Sequence, residues 1–90
     1  MTKTIRIIVS GKVQGVFYRQ STKEKALSLD LTGTVKNLSN GNVEIVATGN
    51  DDQLNTLIEW SRQGPKHASV TNIKTETIDL KGFDGFNIIR

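Results

Sequence analysis

The chain has 90 residues, of which 36% are hydrophobic and 23% charged, and its formal net charge at pH 7 is +3. This length predicts a single domain over residues 1–90 and excludes a second independent core. The sequence contains no Cys, which excludes disulfides, thiolate catalysis and cysteine metal sites. Apolar runs such as Ile7-Ile8-Val9 are far shorter than the roughly 20 residues that a transmembrane helix needs.

The N-terminal residues and the charge balance predict the cellular location of the protein and the charge of its binding partners. Residues Met1 to Arg6 carry charge but lack the apolar segment of a signal peptide, which predicts a cytoplasmic protein. The excess of 12 Lys and Arg over 9 Asp and Glu favours anionic partners, whether nucleic acid, a membrane surface or a small phosphate. No block of five basic residues occurs, so no nucleic-acid-binding tail is indicated. A monomer without metal or cofactor is expected.

The first predicted elements are a strand and a helix. Ile5, Ile7 and Val9 alternate with Arg6, Ile8 and Ser10, and this pattern predicts a half-buried strand. A capping-box pattern at Ser21 to Glu24 predicts a helix from about Ser21 to Leu29. Asp30 follows at a position where a left-handed C-cap is needed, which Asp tolerates better than most residues other than Gly.

A hairpin and a second helix come next. Two β-rich runs, Gly33 to Leu38 and Asn42 to Thr48, flank Asn40-Gly41, which predicts a tight hairpin because both residues accept positive φ. A second helix is predicted to begin at Asn50 or Asp51, where a polar side chain suits the helix N-terminus. Gly64-Pro65 stops this helix.

Two more strands complete the chain. The segment Val70 to Leu80 predicts a long strand. Ile73 and Ile78 would lie on opposite faces of a regular strand, so a bulge or a twisted edge is expected. Phe86 to Ile89 predicts a short terminal strand. The order β-α-β-β-α-β predicts an α+β, ferredoxin-like sandwich in which an antiparallel sheet carries two helices on one face. This fold serves many functions, so the function has to come from the site.

The loop between the first strand and the first helix is one candidate site. Gly11 and Gly15 allow this loop to curl so that successive backbone N–H groups converge on an oxyanion near the helix N-terminus. Arg19 could add a bidentate contact to phosphate or carboxylate. The alternative is a glycine turn beside a surface Arg. Neither a Walker A loop nor a Gly-x-Gly-x-x-Gly motif is present.

Asn37 is the second candidate, since Asn normally avoids the middle of a strand. Its carboxamide is too weak a base to take a proton, but it can hold a water molecule by accepting and donating hydrogen bonds. The alternative is an exposed strand residue without function.

Together, the two segments resemble a known family. Residues 11–19 read Gly-x-Val-Gln-Gly-Val-x-Tyr-Arg, and residues 33–44 read Gly-x-Val-Lys-Asn-x-x-Asn-Gly-x-Val-Glu. This pair of motifs resembles the acylphosphatase family. The resemblance continues through Gly64-Pro65, Ala68, Val70 and Phe86-x-Ile88, and so covers essentially the whole chain.

The resemblance implies metal-independent hydrolysis of acyl phosphates to carboxylate and inorganic phosphate, on a ferredoxin-like fold. It implies that Arg19 is the catalytic Arg and that Asn37 is the catalytic Asn, which positions the attacking water. The phosphate-binding loop, acting mainly through backbone N–H groups, corresponds to Gly15, Val16, Phe17, Tyr18 and Arg19. Family members often have an aromatic residue where Thr34 stands and a Gly where Asp30 stands. These departures leave the two catalytic positions unchanged and are expected to affect substrate preference and stability instead.

Other functions remain as alternatives. RNA-recognition domains share the ferredoxin-like sheet, but they need aromatic residues on central strands, where this sequence has Ile, Val and Thr. A non-catalytic anion sensor could use the same loop. Acylphosphatase-like domains also occur inside larger maturation enzymes, whereas a chain that starts at Met1 and stops after the last strand favours a free-standing enzyme. The single His, His67, is expected in a solvated loop rather than in a metal site.

Overall fold

The computed structural model describes residues 1–89, which form a five-stranded sheet and two helices. The strands are β1 (Thr2–Lys12), β2 (Thr32–Asn37), β3 (Val43–Asn50), β4 (Ser69–Ile78) and β5 (Phe86–Ile89), and the helices are α1 (Tyr18–Ser28) and α2 (Asp51–Ser61). The strand order in the sheet is β4-β1-β3-β2-β5. In this part of the chain, no helix has the length and apolar character needed to cross a membrane.

The sheet is antiparallel across β4, β1, β3 and β2, as predicted, and β5 adds a parallel strand beside β2. The ferredoxin-like α+β class is therefore confirmed, with a mixed sheet. The parallel pairing follows from direction: β4 runs opposite to β2, and the chain reverses after β4 before it reaches the far edge. Residues 79–85 make this crossing and are held where Lys81 N–H donates to Thr4 Oγ1 (2.9 Å) and Lys81 O accepts from Thr48 Oγ1 (2.9 Å).

The core lies between the helices and one face of the sheet. Alternate residues of β1, β2 and β3 supply one side of it, since side chains of a strand alternate between faces. Leu54 and Leu57 of α2 and Ala26 of α1 supply the other side, and each is at most 1% exposed. The fully buried strand residues of this core are Ile7, Val9, Val35, Val43, Ile45 and Ala47.

The two helices begin in different ways. Helix α2 has a capping box, in which Asn50 Oδ1 accepts from Gln53 N–H (2.9 Å) and Gln53 Oε1 accepts from Asn50 N–H (2.8 Å). The capping box predicted for α1 at Ser21 is wrong. Helix α1 begins three residues earlier, at Tyr18, and Ser21 N–H makes an ordinary helical bond to Phe17 O (3.0 Å). Because the Tyr18 side chain is buried in the core, packing extends the helix beyond the local signal.

Two turns can be compared with their predictions. Asp30 has a φ of 59°, and Asp30 and Leu31 N–H donate to Leu27 and Ala26 O, which confirms a left-handed C-cap of the Schellman type. In the turn that joins β2 to β3, only Gly41 has positive φ (93°). Asn40 keeps negative φ and accepts from Asn42 N–H through its side chain (3.0 Å), so the hairpin is confirmed but its turn is wider than predicted.

The predicted irregularity in β4 exists at a different place. The pairing of β1 with β4 shifts where Ser10 faces Asn72 and Gly11 faces Val70, so Thr71 is the extra residue. The close approach of the two strands depends on Gly11, because a Cβ there would clash with Ser69 O. This bulge lies where β1 gives way to the loop that leads to α1.

Candidate active site

The loop from β1 to α1 has two left-handed residues separated by one position. Gly15 has a φ of 75° and Phe17 a φ of 64°. Alternation of this kind turns successive backbone N–H groups toward one side and forms an anion-binding concavity. Within residues 1–89, the N–H groups of residues 15–20 donate to no backbone acceptor, and Phe17, the N-cap, provides no side-chain cap. The N-terminus of α1 is therefore open to a ligand.

A cavity of about 320 Å³ opens against this loop. It brings Arg19, from the first turn of α1, and Asn37, from the end of β2, to the same site. The residues that line it are Val13, Gly15, Phe17, Tyr18, Arg19, Gln20, Asn37 and Ile88. Of the predicted site residues, only Val16 does not line the cavity; its side chain belongs to the hydrophobic core, at 7% exposure. Val16 can therefore face a ligand only through its backbone.

Asn37 holds an unsatisfied polar atom. Its side-chain Oδ1 is buried and accepts no hydrogen bond from residues 1–89. Leaving a buried acceptor unpaired costs about 1 to 3 kcal/mol, so packing alone does not explain an amide here. The same residue pairs through its backbone with Val43 of β3, which fixes its place in the sheet. The arrangement leaves a rigidly placed acceptor beside the cavity.

Gln14 is a residue that the sequence reasoning missed. Its Nε2 donates to the carbonyl oxygens of Leu38 (2.8 Å) and Asn42 (2.9 Å), which lie at the two ends of the β2–β3 turn. These bonds join the loop that precedes α1 to the hairpin that carries Asn37. The sequence shows only that Gln14 is a polar residue next to Gly15 of the loop. It does not indicate that Gln14 binds the β2–β3 turn.

Tyr18 anchors the loop to the rest of the core. It is 1% exposed, its OH donates to Ser61 O (2.8 Å), and its ring lies 5.5 Å from that of Trp60. Burial raises the pKa of Tyr18 to about 12. Tyr18 is thus a neutral phenol, and its contribution is to fix the start of α1.

Several charged groups elsewhere on the sheet are paired with one another. A second depression, of about 350 Å³, is lined by Arg6 and Glu76, and Arg6 forms ion pairs with Glu44 (2.7 Å) and Glu76 (3.2 Å). Arg19, in contrast, has no carboxylate partner within residues 1–89. In the same part of the chain no three His, Cys, Asp or Glu side chains are grouped so that they could hold a metal ion, and His67 is exposed as predicted.

Fold and cavity together define a ferredoxin-like protein with an anion-sized site at its first strand–helix junction. The family model described as Acylphosphatase matches residues 5–88. An acylphosphatase from Coxiella burnetii (strain RSA 493 / Nine Mile phase I) is 49% identical over 84 residues, which cover 93% of this chain and 88% of that protein.

Solved structures agree with the sequence comparisons. The structure of an acylphosphatase from Coxiella burnetii matches with a TM-score of 0.95 and 46% identity, covering 98% of this chain and 93% of that one. The crystal structure of acylphosphatase from Bacillus subtilis matches with a TM-score of 0.94 and 36% identity over the full length of both chains. The chain belongs to the acylphosphatase family. The predicted family and the predicted enzyme class, a hydrolase acting on acid anhydrides, are confirmed.

Proposed function

We propose that this protein hydrolyses acyl phosphates to a carboxylate and inorganic phosphate, with Arg19 and Asn37 as its catalytic residues. The observation that carries the proposal is the shared cavity: Arg19, Asn37 and the loop at the open N-terminus of α1 line one space. Asn37 also keeps its Oδ1 without a hydrogen-bond partner among residues 1–89. Membership of the acylphosphatase family supports the same reaction.

The loop would bind the phosphoryl group. Backbone N–H groups of residues 15–19 donate to the phosphoryl oxygens, and the Arg19 guanidinium adds a bidentate, charge-assisted contact. Phosphoryl transfer has a loose transition state, so fixed charge and position provide most of the catalysis. Because Gly15 and Phe17 are already left-handed, the donors need little rearrangement when the transition state forms.

Asn37 would position the nucleophile. Its Oδ1 accepts a hydrogen bond from a water molecule, which attacks phosphorus as the P–O bond to the acyl group breaks. The leaving carboxylate corresponds to an acid with a pKa of about 4, so it departs as an anion without a general acid. The proton of the water passes to a phosphoryl oxygen, and the products are carboxylate and protonated inorganic phosphate.

The proposed reaction uses groups of this chain alone, and we propose that it needs neither metal nor cofactor. Its ligands are a small acyl phosphate and inorganic phosphate, with no nucleic acid or membrane. The single-domain assignment for residues 1–90, the monomeric state and the cytoplasmic location stay predictions.

Steady-state hydrolysis of benzoyl phosphate tests the proposal. We expect the wild type to turn over with a metal chelator present, and we expect Arg19→Ala and Asn37→Ala each to lose most of that activity. Phosphate binding by a wild type that hydrolyses nothing would instead support the anion-sensor alternative. Activity that the chelator abolishes would overturn the metal-independent mechanism.

A further inference from the structure

Phe17 is unusual in both its backbone and its exposure. A φ of 64° places it in the left-handed region, which disfavours residues with a Cβ, and its side chain is 78% exposed. A Gly or Asn would meet the backbone requirement with less strain, and a polar residue would suit the exposure. Residues held in strained backbone conformations cluster at functional sites. Among the exposed large apolar residues Met1, Phe17, Leu27, Leu80 and Ile89, Phe17 alone lines the cavity.

The wall of the cavity has two chemically different parts. Arg19, Asn37 and the loop N–H groups are polar and match a phosphoryl group. Phe17 and Ile88 are apolar, and neither can contact phosphate favourably through its side chain. Ile88 is half-buried and comes from β5, where it pairs with Val35, so its position is fixed by the sheet. An acyl phosphate has the same two parts, an anionic end and an acyl end.

We propose that Phe17 and Ile88 form an acyl-group subsite, and that the enzyme therefore prefers acyl phosphates with an aromatic or bulky apolar acyl group over acetyl phosphate. This inference rests on the proposed function. With the phosphoryl group in the loop, the acyl group points to the open side of the cavity, where the Phe17 ring is exposed. A flat acyl group stacks on that ring and removes its apolar face from water, whereas a methyl group covers little of it.

The test compares substrates within each variant, so that the different intrinsic reactivities of the substrates cancel. We measure kcat/KM for benzoyl phosphate and acetyl phosphate with the wild type, Phe17→Asn and Leu80→Asn. Asn suits position 17 because it accepts the left-handed backbone. Leu80→Asn makes the same polar change at an exposed residue (66%) outside the cavity.

We expect the ratio of benzoyl to acetyl kcat/KM to fall about 3- to 10-fold in Phe17→Asn, the size of one aromatic contact, and to stay constant in Leu80→Asn. An unchanged ratio in Phe17→Asn, with both substrates still hydrolysed, would overturn the acyl subsite and leave the proposed function standing. Failure of the wild type to hydrolyse either substrate would overturn the proposed function itself.

A binding measurement on the wild type covers the case in which Phe17→Asn does not fold. Calorimetry with benzylphosphonate and methylphosphonate, which carry the anionic and apolar parts but are not hydrolysed, should give a Kd about 3- to 10-fold lower for benzylphosphonate. Equal Kd values would overturn the subsite. This measurement does not depend on turnover, and so it separates recognition of the acyl group from hydrolysis.

Discussion

Gln14 donates from Nε2 to the carbonyl oxygen of Leu38, at 2.8 Å, and so joins the loop that precedes α1 to the residue next to Asn37. The same Nε2 reaches Asn42 O at 2.9 Å. The two halves of the proposed site, one on the loop and one on the hairpin, are thus held together by one carboxamide. Gln14 is a positioning residue, since it does not line the cavity.

Gln14→Met should lower kcat about 10- to 100-fold, because the water held by Asn37 would lose its alignment with the bound phosphoryl group. KM should change much less. Gln53→Met is the matched control: Gln53 Nε2 also donates to a backbone carbonyl, Leu29 O (2.8 Å), and neither of these residues lines the cavity. If both variants lose a similar amount of unfolding free energy and only Gln14→Met loses kcat, Gln14 positions the site. If kcat falls equally in both variants, the loss reflects general destabilisation.

Arg19→Lys should reduce kcat/KM for benzoyl phosphate about 100- to 1000-fold, since a point charge cannot make the two parallel hydrogen bonds of a guanidinium. Arg6→Lys serves as the control for an Arg-to-Lys change. Arg6 lies on the outer face of the sheet and pairs with Glu44 and Glu76, so activity should be retained. Retention of wild-type kcat/KM by Arg19→Lys would show that a positive charge alone suffices.

Asn37→Ala should lower kcat about 100-fold while the Kd for inorganic phosphate stays within about 3-fold. Because the buried Oδ1 has no partner, its removal should leave the melting temperature unchanged or raise it. Asn55→Ala, on the exposed face of α2, controls for the loss of an amide. Loss of phosphate binding with unchanged turnover per bound substrate would reverse the roles assigned to Asn37 and Arg19.

Tyr18 should make the protein less stable at high pH. Burial raises its pKa to about 12 in the folded state, whereas an unfolded Tyr has a pKa of about 10. The fold favours the neutral phenol, so this contribution is complete below pH 10 and is lost as the pH rises from 10 to 12. Over that range the wild type should lose roughly 2 to 3 kcal/mol more unfolding free energy than Tyr18→Phe.

Denaturant titrations at several pH values measure that difference. The chain has a single Tyr, so the phenolate absorbance of the folded protein reports its ionisation directly. A midpoint near pH 10 in the folded state would contradict the expected stabilisation of the neutral form.

Asp30→Gly should raise the unfolding free energy by about 1 kcal/mol. The φ of 59° favours Gly, and the change removes a negative charge from the C-terminal end of α1, where the helix dipole disfavours it. Asp30→Ala removes the same charge but keeps a Cβ, and should be less stable than Asp30→Gly. Equal denaturation midpoints for the two variants would assign the effect to charge alone.

Much of the fold follows from local patterns in the sequence. Alternation predicted β1, the two β-rich runs beside Asn40-Gly41 predicted β2 and β3, and Asp30 marked the end of α1 correctly. The start of α1 was wrong because the capping pattern at Ser21 is local, while the burial of Tyr18 against Ser61 is tertiary. The parallel pairing of β5 with β2 also escaped prediction, since it depends on the path of residues 79–85 across the sheet.

The candidate site was predicted as far as its motifs reach. Arg19, Asn37 and the loop around Gly15 do line one cavity. Ile88 was missed because its place at the site depends on strand pairing. Gln14 was missed because its hydrogen bonds reach residues that are 24 and 28 positions away along the chain. The exposure of the Phe17 ring was also missed, because the sequence does not show which side chains of a loop are exposed to solvent.

The place of Ile88 on β5 links activity to the order of folding. β5 contacts β2 in parallel, and the two strands come from opposite halves of the chain, so their meeting requires a long loop to close. Contacts of such large separation along the chain form slowly. Refolding intermediates with an ordered hairpin and α1 would therefore have an incomplete cavity wall, and full selectivity between acyl groups should return only once β5 has paired with β2.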